Sequence, residues 1–271
     1  MNFSKMKHSI LAALSIIFFA SCEKVINVDL NDANPKIVIE AGLYEGTHVF
    51  KVHITKTISY FNNGIAPTID NANVTLSDRI NPAKTLIPVG DGWYELLNCT
   101  ATNNTTYELN VVAEGKTYTA SSYLPVSPVL DSLTYKDFGG GFGGGNFDPY
   151  LMTAHFQDSV GVANYYRLIV TKNDSLQNKP FDLFVFDDKI RDGQYIEVPV
   201  FSAFCDIGDT MDVELVSMDE KVYDYYITFG EIITGDANNS AAPANPNSNW
   251  SNKALGYFGA YSIQRKSIRI K

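Results

Sequence analysis

Apolar and polar positions alternate with a period of two along most of this chain, which is the repeat of half-buried β-strands. His48 to Thr57 is the clearest stretch: Val49, Lys51 and His53 alternate with Phe50, Val52 and Ile54. Before it, Lys36–Ala41 reads as a buried strand. After it, short strands are predicted at Ala72–Leu76, Thr85–Pro88, Gly92–Leu97, Thr106–Ala113 and Lys116–Ser121. Asp91-Gly92 and Glu114-Gly115 supply hairpin turns between them. About seven strands without a helical stretch predict an immunoglobulin-like β-sandwich over residues 35–125.

Pro125-Val126-Ser127-Pro128 is the candidate boundary, since two prolines in four residues suit a stiff linker. Residues 126–271 then read as a second β-rich domain. Its strands are expected from Val129 to Tyr135 and at Leu151–Phe156, Tyr165–Thr171, Phe181–Asp187, Ile196–Val200 and Met211–Met218. Two more, Gly256–Ile263 and Lys266–Ile270, close the chain. One segment departs from this period. Asp219 is a good N-cap, and Val222, Tyr226, Phe229 and Ile233 fall on one face of a helix near residues 220–233. Gly139 to Gly145 is a glycine-rich loop around Phe142. It lacks the trailing Lys-Ser/Thr of a phosphate-binding loop.

The N-terminus has no alternation at all. A basic head with Lys5 and Lys7 precedes an apolar run from Ser9 to Ala20, too short for a permanent span. Such a head and core make a secretory signal peptide, residues 1–21. Ala20-Ser21 directly before Cys22 forms a lipobox, with Phe19 where a strict one carries Leu. Cys22 is therefore the expected lipidation site, and residues 22–34 the tether behind it.

Composition narrows the partners. Hydrophobic residues make up 45% of the chain and charged residues 19%, enough to build a core. The net charge of −9 excludes nucleic acid as a natural partner and disfavours docking to anionic lipid by charge. Contact with the membrane then falls to the acyl chains on Cys22. Cys99 and Cys205 are left either to pair or to stay as two buried thiols; with no CxxC and no Cys/His cluster, structural zinc is not expected.

Chemistry is sparse. His48, His53 and His155 lie in or beside strands, and no GxSxG, HExxH or Cys/His arrangement surrounds them. No catalytic residue, cofactor or firm metal site is expected. Asp187, Asp188 and Asp192 are the weak candidates for a hard cation, although the calcium-loop pattern is missing. Trp250 lies in a polar, Asn-rich stretch and heads a possible binding loop with Asn247, Asn249, Tyr257 and Phe142.

Ser21-Cys22-Glu23-Lys24-Val25-Ile26 and Pro35-Lys36-Ile37-Val38-Ile39-Glu40 resemble the opening of a Bacteroidota lipoprotein family, the domain of unknown function 4249. Asn245 to Trp250 and Leu255-Gly256-Tyr257-Phe258-Gly259-Ala260-Tyr261-Ser262 are similar to its closing signature, and Phe156-Gln157-Asp158 ahead of Tyr165-Tyr166-Arg167 falls in order between them. Members are often encoded beside TonB-dependent transporters. The resemblance implies a non-enzymatic outer-membrane lipoprotein, an accessory or binding subunit of such a transporter in nutrient uptake. It leaves open whether that lipoprotein faces the periplasm or the cell surface. A cell-surface adhesion or scaffolding module is the alternative, and a surface hydrolase the third reading.

Overall fold

The structure is a computed structural model; it describes residues 35–58, 64–138, 150–235 and 245–271. Cys22, Phe142 and the expected signal peptide and tether lie outside these residues. Pro35–Lys271 forms one compact unit.

The first half is a sandwich. One of its layers holds β1 (Ile37–Tyr44), β2 (Gly46–Lys56), β6 (Trp93–Ala101) and β5 (Ile87–Gly90), in that spatial order. The facing layer is β4 (Lys84–Thr85), β3 (Asn73–Ser77), β7 (Thr105–Ala113) and β8 (Lys116–Leu124). Lettered along the chain, these are the ABED and C′CFG sheets of the immunoglobulin fold. Alternation sends Ile39, Ala41, Phe50, Val52, Ile54, Val74, Leu109 and Val111 into one core between the layers. A further hallmark of the fold is present: the Thr102 N–H donates to Tyr107 Oη at 2.8 Å, so a tyrosine at the start of the F strand locks the corner before it.

The strand expected at Thr85–Pro88 is two strands. Leu86, 2% exposed, donates its N–H to the Val74 carbonyl and marks where the chain leaves one sheet for the other. A change of sheets in mid-run keeps the apolar pattern continuous, so periodicity alone does not reveal it.

The second half repeats the sandwich plan. β9 (Leu130–Asp137), β10 (Tyr150–Gln157) and β14 (Tyr195–Pro199) form a three-stranded sheet. It packs through Leu130, Met152, Ala154 and Phe156 against Tyr166, Leu168 and Val170 of β11 (Tyr165–Lys172) and Met211, Val213 and Leu215 of β15 (Thr210–Met218). Two short strands, β12 (Ser175–Leu176) and β13 (Phe184–Asp187), also pair with β11. A 3-10 turn at Pro180–Asp182 takes the front of the strand expected from Phe181.

The two closing strands expected at Gly256–Ile263 and Lys266–Ile270 are a single strand, β16 (Leu255–Arg269). Its first half pairs parallel with β1, from Val38↔Leu255 to Tyr44↔Tyr261. Its second half pairs antiparallel with β15, from Ser217↔Ser262 to Thr210↔Arg269. A nine-stranded sheet results, and it runs across the boundary expected at Val126. The Pro125–Pro128 segment is not a free linker either: Ser127 is buried, and its hydroxyl meets Ser217 Oγ at 2.9 Å. The sequence offers no sign of this, because parallel pairing joins strands about two hundred residues apart.

The helix α1 (Glu220–Thr234) lies on the outer side of this sheet at the seam. Asp219 caps it as expected, accepting the Val222 N–H at 3.0 Å. The same carboxylate accepts the Tyr123 N–H at 2.8 Å and the Ser122 hydroxyl, which fastens the helix start to β8.

Gly256 and Trp250 together set the β1–β16 pairing. Gly256 has φ +84°, and a Cβ there would stand 2.3 Å from the Ile39 carbonyl oxygen. That oxygen also accepts the Trp250 indole N–H at 3.0 Å. Trp250→Ala is expected to cost about 3–5 kcal/mol, the usual loss for a truncated core aromatic. A urea unfolding curve measures it, and an unchanged midpoint would contradict the packing role.

Candidate functional site

Trp250, expected on an exposed binding loop, is 6% exposed and sits in the core of the first sandwich. Polar neighbours in sequence suggested exposure, yet those neighbours are satisfied within the fold. Asn249 pairs with Phe258 as a strand would: Nδ2 donates to its carbonyl at 2.7 Å and Oδ1 accepts its N–H at 3.0 Å. Asn247 donates its N–H to Thr228 Oγ1 and its Nδ2 to Asp224 Oδ2, both at 2.9 Å, and so staples the stretch to α1. Ser251 and Asn252 bond to β8 through Thr119 and Thr117. This stretch is thus a strap across the seam, and Tyr257 belongs to the aromatic cluster beneath the helix.

That cluster is the least expected feature of the seam. Gly42 and Gly259 face one another across β1 and β16. A Cβ on Gly259 would fall 2.1 Å from Tyr261 Oη, so the bare backbone is what admits the tyrosine ring. Tyr261 lies 5.4 Å from Tyr44 between ring centroids, and its hydroxyl is 3.4 Å from that of Tyr226. Tyr257 packs on Tyr225 at 4.6 Å and on Tyr226 at 5.6 Å. Burial, followed by the neighbouring phenol of Tyr226, pushes the Tyr44, Tyr257 and Tyr261 hydroxyls above their ordinary range. Burial and then Glu40 push Tyr225 up to about 12.

Beside the cluster the sheet is open. Where the β1–β2 hairpin turns away from β16 a cleft of about 780 Å³ forms, lined by Tyr44–Val49, Glu214, Ile263 and Arg265. A smaller cavity of about 40 Å³ shares Tyr44, Glu214 and Ile263 with it and reaches Arg167, Tyr226 and Tyr261. Arg265 and Glu214 form an ion pair at 2.6 Å. Glu45 accepts from the Asn103 amide at 2.8 Å, and its backbone carbonyl is 2.7 Å from His48 Nε2. Arg167 is different. Its guanidinium carbon lies 4.8 Å from the centre of the Tyr226 ring, and its buried Nε–H has no hydrogen-bond partner. Leaving such a donor unmet costs about 1–3 kcal/mol.

Of the acidic candidates, the fold brings Asp188 and Asp192 together and leaves Asp187 out. Asp187 is half-buried on β13 and pairs with Lys189 at 3.1 Å. The third member is Asp158, just past β10: one oxygen from each of the three carboxylates lies within 4.8 Å of the others. Asp158 accepts the Tyr166 hydroxyl at 2.5 Å and the Gly193 N–H at 2.9 Å. Asp188 takes the N–H and side-chain amide of Asn164, both at 3.1 Å, and Asp192 takes the Gly161 N–H at 2.7 Å. These bonds pin two loops together. Calcium takes six to eight oxygens, and three carboxylates supply only part of that shell. Asp158 escaped the sequence reading because it lies thirty residues upstream of Asp188, with no spacing motif to connect them.

The three histidines among the described residues each have a local partner. His53 stacks on Trp93 with ring centroids 4.2 Å apart, His48 bonds within its own hairpin, and His155 lies 2.7 Å from Thr134 Oγ1 and 3.6 Å from Glu197. The fold does not gather them, since they lie on different strands of two sandwiches. Cys99 and Cys205 are both buried, one in each sandwich core, and do not pair with one another. No helix among the described residues is long and apolar enough to cross a membrane.

By architecture the described residues are mainly β, two sandwiches sharing one sheet with a helix over the seam. It belongs to the family described as Domain of unknown function (DUF4249), whose model matches residues 23–267. Comparison with curated proteins gave no match.

The tyrosines predict an alkaline limit. A phenol whose folded pKa is raised stabilises the fold in full below its unfolded value, near 10, and this contribution fades as pH climbs through the folded value. Stability should therefore hold to about pH 10 and fall above it, through the window to about 12 set by Tyr225. Urea midpoints measured from pH 8 to 12 would show this, and Tyr225→Phe should flatten the fall. Equal slopes in the two proteins would rule out that tyrosine as a cause.

Proposed function

We propose that this chain is a non-enzymatic lipoprotein of the outer membrane, anchored through Cys22, that serves as an accessory or binding subunit of a TonB-dependent transporter in nutrient uptake. The observation that carries the reading is the N-terminal pattern: a basic head, a short apolar run and Ala20-Ser21 directly before Cys22. The resemblance of both ends of the chain to a Bacteroidota lipoprotein family supports it. Acyl chains supply the hold on the membrane that an acidic surface lacks.

An exposed face suits the contact such a subunit needs. On the outer side of the first sandwich Ile87, Trp93 and Leu97 are 54%, 40% and 56% exposed. The Lys51–Glu95 pair, at 2.7 Å, lies among them. Aromatic and aliphatic side chains suit the core of an interface, and a charged pair suits its polar rim.

Two measurements test the reading. Cys22→Ser should move the protein from the membrane fraction to the soluble one; retention with membranes would mean that another element holds it. Affinity capture of the full chain from detergent-solubilised outer membrane should recover a TonB-dependent transporter, and Trp93→Ala should weaken the recovery. Capture without any transporter would remove the accessory role.

A further inference from the structure

We infer that the cleft between the β1–β2 hairpin and β16 is a binding site for a small monoanionic carboxylate with an apolar body, and that Arg167 is its anchor. This inference concerns a site of its own and does not depend on lipid anchoring or on a transporter.

The argument starts from an unbalanced charge. The other half-buried cations of the described residues each have a partner: Lys56 with Glu114, Lys172 with Asp209, and Lys266 with the Leu130 and Asp131 carbonyls. Arg167 does not. It sits half-buried on the outer face of β11, and no carboxylate of the described residues lies within ion-pair distance. Its contact is the face of Tyr226, and its Nε–H meets no acceptor. A guanidinium taken partly out of water without a counter-charge is the opposite of what solvation favours. A planar fork of donors is matched by a carboxylate, which it can hold in a bidentate pair.

Space and lining agree with that ligand. The 40 Å³ cavity at Arg167 has room for a group the size of a carboxylate, and it shares lining residues with the 780 Å³ cleft, within the range of small-molecule sites. Tyr44, Val49 and Ile263 give the cleft an apolar wall, with Tyr44 and Val49 at 45% and 44% exposure. Glu45 and Glu214 line the cleft as well, Glu214 in its pair with Arg265, and the carboxylates would repel a dianion such as phosphate about twice as strongly as a single carboxylate. The β1–β2 turn, β15 and the second half of β16 supply the walls, so both sandwiches contribute to the site.

The test is a calorimetric titration of the full chain in detergent with octanoate, 3-phenylpropionate and N-acetylphenylalanine, each beside its uncharged amide. At least one acid should bind ten-fold or more tightly than its amide. Arg167→Gln should erase that difference. Val49→Trp, at the exposed rim of the cleft, should cut binding of the same acid ten-fold while leaving the unfolding midpoint in place; it keeps the test valid if the Arg167 variant folds poorly. The inference is overturned if no acid binds, if acid and amide bind alike, or if Val49→Trp leaves binding intact.

Discussion

Everything in this fold hangs on the pairing of β16 with two different partners. The strand is parallel to β1 over its first half and antiparallel to β15 over its second. Each pairing alone would complete one sandwich; both on one strand make the two sandwiches a single sheet. The strand is continuous over fifteen residues, so one element carries both pairings. The cost is kinetic, since β1 and β16 come from opposite ends of the described chain and such non-local contacts close late.

The polar strap at residues 247–252 follows from that constraint. Where β16 begins, Phe258 would leave its N–H and carbonyl without a strand neighbour, and Asn249 supplies both bonds from a side chain. Trp250 then closes the pairing from within by bonding the Ile39 carbonyl, and Asn247 ties α1 down over the seam. Glycine at 259 leaves a hollow in the sheet, and tyrosines fill it from above. These residues belong to the closing signature the sequence displays, and in three dimensions they all serve one joint.

Strands, turns, the helix and its cap could be read from the sequence, because period, turn residues and capping are local properties. A sandwich for the first half could be read as well, from the regular spacing of its short strands. What could not be read was non-local. The sheet switch at Leu86 leaves the apolar pattern unbroken, and the union of the halves through β16 has no local mark. Trp250 shows the error most sharply: the Asn and Ser around it looked like solvent-facing residues, but their side chains bond to backbone and the indole is buried. Asp187 and Asp188 are neighbours in sequence yet alternate in side-chain direction, so only Asp188 turns toward Asp158 and Asp192.

Concavity arises at the seam for the same reason. Two sandwiches on one sheet must diverge somewhere, and they do so where β1 ends at Tyr44 while β16 continues to Arg269. The hairpin turn rises on one side, β15 and β16 run on beneath, and the helix end of the tyrosine cluster closes the third side. A flat outer sheet face offers no enclosure to a small molecule, whereas this divergence creates one without a dedicated loop. Because its walls are strands rather than mobile segments, the cleft is preorganised. Little ordering would be needed on binding, and affinity would then depend on the few polar groups at its base. Arg167 is the member of that set whose hydrogen bonding and charge the fold leaves unfinished.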